Sequence, residues 1–205
     1  MTQTTHKSPE DHTISHHEGQ GPTSFWMQDP EQVFHELALE PGMHFLDLGC
    51  GRGDYSLEAA RQVGSLGHVT ALDISHGTVD HLNKTASHLG IYNLEAAAAD
   101  ITLFIPLKDQ SADICLLSTV LHIPVVSRHL GGLYKEVERV LKPKGRFIIL
   151  ECKKESWDFG PPIEMKWSPE EVQNSIRNYG FEKIRFSEFK YNYCIQFILS
   201  DINIK

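Results

Sequence analysis

The chain has 205 residues, a formal net charge of −8 and four cysteines without close spacing. This length is typical of one domain, and the acidic balance without a basic cluster disfavours a nucleic-acid binder and favours a small or cationic ligand. No apolar run approaches the roughly 20 residues that cross a bilayer and the polar N-terminus lacks a signal-peptide core, so we expect a cytoplasmic protein with reduced cysteines.

Residues 1–24 form a polar segment without a periodic apolar pattern, and it contains His6, His12, His16 and His17. We expect this segment to be flexible. The spacing of the histidines fixes no coordination geometry, so no metal site is predicted. A binding module that senses metal through these histidines is kept as an alternative. The folded domain is predicted to cover residues 25–205.

From residue 29 onward the sequence predicts alternating helices and strands. The first helix is predicted from Asp29 to Pro41-Gly42, followed by strand 44–48, helix 55–63, strand 68–73, helix 77–90, a weak strand 94–101 and strand 112–121. Then come helix 127–141, strand 146–151, a helix from Ser168 to Tyr179, and strands 183–189 and 191–199. The alternation predicts an α/β doubly wound, Rossmann-like, mostly parallel seven-stranded sheet. The short gap before the last strand requires an antiparallel C-terminal hairpin.

The stretch "HFLDLGCGRGDYS", which begins at His44, leaves a buried strand through Gly49, Gly51 and Gly53. Glycines let a backbone turn sharply and approach a ligand closely. In a doubly wound sheet, ligands bind beyond the carboxyl ends of the strands. Asp73 ends the second strand, where its carboxylate is placed to accept hydrogen bonds from both hydroxyls of a ribose.

The glycine spacing distinguishes between nucleotide cofactors. A dinucleotide fingerprint has a glycine at its sixth position, where this chain has Asp54. We expect Asp54 to cap the next helix, and an acid there repels a pyrophosphate. A nicotinamide-dependent oxidoreductase is therefore the disfavoured alternative. A ligand with a ribose and no phosphate near this loop fits S-adenosylmethionine. The non-catalytic binding module kept as an alternative would therefore sense S-adenosylmethionine or metal.

The segments "FLDLGCGRG", "VTALDIS", "ADI", "ADICLLSTVLH" and "LYKEVERVLKPKGRFII" resemble the successive motifs of class I S-adenosylmethionine-dependent methyltransferases. They are most similar to the group that includes ubiquinone and menaquinone biosynthesis enzymes. The resemblance covers about residues 29–200 and implies transfer of a methyl group to a small-molecule acceptor. It implies that ten residues bind the cofactor, namely Asp47, Gly49, Cys50, Gly51, Gly53, Asp73, Ile74, Asp100, Ile101 and Ser118. The residues from Asp47 to Gly53 in this list would hold the methionine end, and Asp73 would bind the ribose. Ile74, Asp100 and Ile101 would contact the adenine, and Ser118 would lie beside the sulfonium.

Methyl transfer depends mainly on alignment and on the exclusion of water. If the acceptor must lose a proton, His122 is the candidate general base, and a packing role in the loop is the other interpretation. Phe25, Trp26, Trp157 and Phe159 are candidates for a lid over the substrates. Alternatively, Phe25 and Trp26 fix the first helix to the core, and Trp157 and Phe159 belong to a surface loop. The identity of the acceptor and the oligomeric state, a homodimer included, stay open.

Overall fold

The computed structural model describes residues 23–200, and the predictions for the first 22 residues, including the four histidines, lie outside this range. The strands are β1 (His44–Leu48), β2 (His68–Asp73), β3 (Leu94–Ala98), β4 (Ala112–Ser118), β5 (Leu141–Cys152), β6 (Phe181–Glu188) and β7 (Asn192–Leu199). The α-helices are α1 (Pro30–Leu37), α2 (Asp54–Val63), α3 (His76–His88), α4 (Pro124–Ser127), α5 (Leu130–Val140) and α6 (Pro169–Ile176), and Ile163–Met165 form a 3₁₀ turn.

The strands form one seven-stranded sheet in the order β3-β2-β1-β4-β5-β7-β6. Strands β1 to β5 run parallel to one another, and β7 runs antiparallel between β5 and β6. The predicted doubly wound sheet with an antiparallel C-terminal hairpin is therefore confirmed. None of the helices within residues 23–200 has the length and apolar content to cross a membrane.

Helices cover both faces of the sheet. On one face α5 and α6 bury side chains such as Tyr134 and Val172. On the other face α1, α2 and α3 bury Leu37, Val63 and Leu82. Strand β4, at the centre, is apolar along nearly its whole length, as a strand covered on both faces must be. The two layers hold the strands rigidly, which fixes the positions of the loops at their carboxyl ends.

Two helices end earlier than predicted. Helix α1 ends at Leu37 rather than at Pro41-Gly42, because Ala38 adopts a left-handed conformation with a φ of 43°. The N–H of Ala38 donates a hydrogen bond of 3.0 Å back to Phe34, which closes the helix without a glycine. Helix α6 ends at Ile176, not at Tyr179.

The region after β4 also differs from the prediction. The strand ends at Ser118 rather than at residue 121, because Thr119 turns the chain with a φ of 53°. The predicted helix 127–141 corresponds to α5, which begins at Leu130, and it is preceded by the short helix α4, which was not predicted. The turn at Thr119 places His122 at the wall of a cavity at the carboxyl ends of the strands.

Strand β5 begins earlier than the predicted residue 146. It starts at Leu141, and the pairing with β4 is irregular between Leu141 and Arg146. Lys144 has a φ of 64° within this irregular stretch. Pro143 and Gly145 therefore lie inside β5.

Candidate active site

A cavity of about 550 Å³ opens at the carboxyl ends of the parallel strands. It is lined by nine of the ten predicted cofactor contacts: Asp47, Gly49, Cys50, Gly51, Asp73, Ile74, Asp100, Ile101 and Ser118. His122 lines it as well. These residues are distant in sequence, and the parallel sheet brings them together because the carboxyl ends of its strands share one edge.

Gly53 is the predicted contact that does not line the cavity. It precedes α2 with a φ of 79° and faces α3, where a Cβ would lie 2.3 Å from Cδ1 of Leu82. The absence of a side chain at Gly53 is therefore required for the packing of α2 against α3. Asp54 is the first residue of α2 and makes no cap, so the predicted capping role is wrong. Its carboxylate instead accepts a hydrogen bond of 2.9 Å from Oγ1 of Thr23.

The glycine loop is tied to the end of β2. The N–H groups of Gly49 and Cys50 both donate to the carbonyl oxygen of Leu72, at 2.8 and 2.9 Å. Gly49 has a φ of 75°, and a Cβ there would lie 2.7 Å from a methyl group of Val120. Gly51 has a φ of 50°, and no atom lies within 4 Å of the position of its Cβ. The loop thus leaves open space on the cavity side.

Asp73 joins the loops that follow β1 and β2. One carboxylate oxygen accepts the N–H of Gly51 at 3.0 Å, and the other accepts the N–H of Ser75 at 2.9 Å. A carboxylate oxygen has two lone pairs, so each keeps the capacity to accept a further hydrogen bond. Asp73 lies on the cavity wall with its carboxylate held in place by two backbone donors.

Asp47 is the buried acid of the site, with 2 % of its surface exposed. It accepts a hydrogen bond of 2.5 Å from Oγ of Ser56 on α2. Burial raises the pKa of Asp47 from 3.8 to about 7, and the nearby carboxylates of Asp73 and Asp54 act in the same direction against the Ser56 hydrogen bond. A positive charge in the cavity therefore favours the ionised form of this carboxyl group.

Asp100 is ionised and preorganised by its neighbour. Its Oδ1 accepts hydrogen bonds from the backbone N–H and the Oγ1 of Thr102, at 2.9 and 2.6 Å. These hydrogen bonds lower the pKa of Asp100. Ile101 is buried and Ile74 is 68 % exposed at the rim, so two apolar side chains lie on this part of the wall.

The segment before α1 forms another wall of the cavity, which the sequence does not predict. Ser24 and Ser118 share a hydrogen bond of 3.0 Å between their hydroxyl groups, and Oγ of Ser24 also donates to the hydroxyl of Tyr55 at 3.4 Å. Thr23, Ser24 and Met27 line the cavity. Thr23 and Ser24 were expected to belong to the flexible N-terminal segment, whereas here they contact α2 and the end of β4.

His122 is held by a buried carboxylate at the other end of the cavity. Its Nδ1 lies 3.2 Å from Oε1 of Glu151, which has no exposed surface. The Glu151 oxygens also accept the N–H groups of Leu121 and Cys152, at 3.0 and 2.8 Å. Glu151 is the last residue of the predicted strand 146–151. An acid at the carboxyl end of a strand that pairs with β4 is a signal from which this partner of His122 could have been predicted.

The four lid candidates occupy different positions. Phe25 is buried and contacts the rings of Phe34 and Tyr55, so it fixes α1 to the core, while Trp26 is 62 % exposed. Neither lines the cavity. Trp157 and Phe159 line a second, smaller cavity next to the first.

The arrangement fits S-adenosylmethionine. Four aspartates line the cavity, Asp47, Asp54, Asp73 and Asp100, against a single arginine, Arg52. This charge suits a cationic sulfonium with a ribose, and it opposes the pyrophosphate of a dinucleotide. The open space beside Gly51 would admit the ligand close to the backbone.

Comparison with known proteins agrees with this geometry. A family model described as "Methyltransferase domain" matches residues 39–198. The chain belongs to the class I S-adenosylmethionine-dependent methyltransferases. A solved structure described as a SAM dependent methyltransferase from Aquifex aeolicus is 31% identical, with a TM-score of 0.79 over 87% of this chain and 94% of that one.

This chain spans about half or less of the length of the curated relatives that it matches. Demethylmenaquinone methyltransferase of Lactobacillus johnsonii is 32% identical over 67% of this chain and 54% of the relative. Sterol 24-C-methyltransferase ERG6B of Gibberella zeae is 32% identical over 57% of this chain and 30% of the relative. The geranyl diphosphate C-methyltransferase of Streptomyces coelicolor, solved with S-adenosyl-L-homocysteine, is 15% identical with a TM-score of 0.65 over 83% of this chain and 79% of that one, and it shows the fold alone.

Proposed function

We propose that this chain transfers a methyl group from S-adenosylmethionine to a small-molecule acceptor with an apolar body. The observation that carries this proposal is one continuous cavity with two different halves. The half at β1 to β3 is acidic, and the half at β4 and β5 is mainly apolar, with Ser118, Thr119 and His122 as its polar side chains. A cationic cofactor and an apolar acceptor suit these two halves.

The acidic half would hold the cofactor. Asp73 would accept the ribose hydroxyls, and Asp47 would face the positive charge at the methionine end. Asp100 would accept the amino group of the adenine, whose ring would lie by Ile74 and Ile101. The bound cofactor supplies a methyl group on a positively charged sulfur, which is activated for displacement. The protein's part is to hold this group in line with the acceptor.

The apolar half would hold the acceptor. Ile123, Val125, Val126 and Pro161 line it together with His122. Apolar walls exclude water, which would compete for space and weaken alignment. The names of the demethylmenaquinone methyltransferase relatives are compatible with an apolar acceptor of this kind.

His122 would act as the general base where the acceptor carries an acidic proton. A carboxylate only accepts hydrogen bonds, so Glu151 places the ring proton on Nδ1. The Nε2 lone pair would then be free to take the proton that the acceptor loses on methylation, while the bond between the methyl carbon and sulfur breaks and S-adenosylhomocysteine leaves as a neutral thioether. Glu151 also stabilises the imidazolium that results.

Calorimetric titration of the protein with S-adenosylmethionine, S-adenosylhomocysteine and NADH tests the cofactor assignment. We expect micromolar binding of the first two and no heat from NADH. Binding of NADH alone would overturn the proposal. An acceptor screen that measures the transfer of radiolabelled methyl groups distinguishes an enzyme from a binding module. Binding of the cofactor without transfer to any acceptor would favour the binding module.

A further inference from the structure

A second cavity of about 250 Å³ lies beside the acceptor half of the first one. It is lined by residues 156–163 of the loop after β5, together with Lys166. Gly160 and Pro161 line both cavities, so the two cavities adjoin at this dipeptide. Gly160 has a φ of 78°, and no atom lies within 4 Å of its Cβ position. A ligand in the first cavity can therefore extend past Pro161 toward the second.

Lys166 is an unusual lining residue because it is almost fully buried, with 4 % of its surface exposed. Its Nζ donates a hydrogen bond of 2.7 Å to the backbone carbonyl of Glu155. Within residues 23–200 it forms no ion pair. An ammonium group has three donors, and burial of a charge is costly unless an opposite charge accompanies it. Lys166 thus keeps two donors, and no acidic side chain of residues 23–200 lies within ion-pair distance of its ammonium group.

The loop that carries this cavity is fixed to the C-terminal hairpin. The rings of Trp157 and Phe159 each stand edge-on to Tyr191, with centroids 5.1 and 5.0 Å away. The N–H of Lys153 donates a hydrogen bond of 2.9 Å to the carbonyl of Tyr191. These contacts hold the loop against the turn between β6 and β7. Asp158 also lines it, but its side chain is exposed to solvent, whereas Lys166 is enclosed.

We infer that the second cavity binds an anionic group of the methyl acceptor, such as a carboxylate, sulfonate or phosphate, through Lys166. The anion would supply the missing opposite charge and accept the free N–H groups of the ammonium. The apolar body of the acceptor would then pass Pro161 to reach His122. This inference rests on the proposed function, and it adds that the acceptor carries a negative charge at the end distant from the methylated atom.

Binding of a matched pair of small probes tests the inference without a known acceptor. Fluorine-19 NMR gives the affinities of para-fluorobenzoate and of its neutral analogue para-fluorobenzamide for the wild-type chain saturated with S-adenosylhomocysteine. We expect the benzoate to bind about tenfold more tightly, because only it accepts charge-assisted hydrogen bonds. Lys166→Gln should abolish this preference. Gln can still donate to the Glu155 carbonyl, so the fold should persist.

Lys154→Gln is the matched control, since it removes the same charge from the same loop at an exposed residue paired with Glu171. It should keep the preference for the benzoate. Equal affinities in the wild type, absence of binding by both probes, or a preference that survives Lys166→Gln would overturn the inference. Displacement of the benzoate by sulfate at equal affinity would assign the cavity to a free anion instead of an acceptor. Calorimetry with S-adenosylhomocysteine on the same samples reports separately on the proposed function.

Discussion

The buried carboxylate of Glu151 on β5 accepts a hydrogen bond of 3.2 Å from Nδ1 of His122. His122 lies in the loop that follows the neighbouring strand, β4. The same carboxylate accepts two backbone N–H groups, so its position is fixed by the fold. An imidazole held in this way presents Nε2 to the cavity. The proposed role of His122 as a general base requires this relationship, which a role in packing alone does not.

The tautomer of His122 provides a direct check. Long-range proton–nitrogen-15 NMR spectra at neutral pH should show Nδ1 protonated and Nε2 free. Glu151→Gln should shift the ring toward the other tautomer, because a single amide oxygen cannot satisfy three donors. Glu182→Gln, an exposed change on β6, should leave the spectrum unaltered. Protonation on Nε2 in the wild type would assign His122 to packing.

Asp73→Asn should weaken the binding of S-adenosylhomocysteine. Hydrogen bonds to a charged acceptor contribute about 1.5–3 kcal/mol, so a loss of roughly 10- to 150-fold in affinity is expected. Asp80→Asn on the exposed side of α3 removes the same charge and should have no effect. Calorimetric titration of both variants measures the difference. Unchanged affinity in Asp73→Asn, with the fold intact by circular dichroism, would refute the ribose assignment.

The strand-end acids could be predicted from sequence, whereas their partners across the sheet could not. Asp73 and Asp100 follow recognisable strands, and the parallel topology alone brings them to one edge. Glu151 contacts His122 only because β5 lies beside β4, 29 positions away along the chain. The same holds for Ser24, whose contact with Ser118 spans 94 positions and follows from the path of the N-terminal segment.

Helix ends were predicted less well, because tertiary contacts decide them. Ala38 ends α1 in a left-handed conformation that usually favours glycine. Arg146 donates hydrogen bonds to the carbonyls of Leu37 and Ala38, at 2.6 and 3.1 Å. These carbonyls lie at the end of α1 and are satisfied by a side chain more than 100 positions away, which local sequence patterns do not reveal.

Asp47 should make the stability of the protein depend on pH. Its pKa is 3.8 as a free side chain and about 7 in the folded protein, so between these values the folded state holds one proton more than the unfolded state. Stability from this group therefore falls as the pH rises, by about 1.4 kcal/mol per pH unit, and levels off above the folded pKa.

Asp47→Asn isolates this contribution. Urea unfolding of both proteins at about pH 5 and about pH 6.5 should show that the variant loses less stability over this interval than the wild type, by roughly 2 kcal/mol. Asn retains an oxygen that can accept the hydrogen bond of Ser56. Parallel pH dependences of the two proteins would contradict the raised pKa of Asp47.

Gly53→Ala distinguishes a packing role from a cofactor contact. A Cβ at Gly53 would lie 2.3 Å from Leu82 Cδ1, and the φ of 79° is unfavourable for alanine. The strain of about 1 kcal/mol from a left-handed alanine adds to the cost of overpacking, which is typically about 1–3 kcal/mol. Unfolding in urea should therefore show a loss of about 2–4 kcal/mol.

Gly90→Ala is the control for this change, because Gly90 after α3 also has a positive φ, of 70°, but no atom lies within 4 Å of its Cβ position. It should cost only the conformational strain, about 1 kcal/mol. Leu82→Ala would open space beside Gly53, so the added cost of Gly53→Ala should shrink in that background. Equal losses for the two glycines would contradict the packing role. A loss of cofactor affinity at unchanged stability would return Gly53 to the binding site.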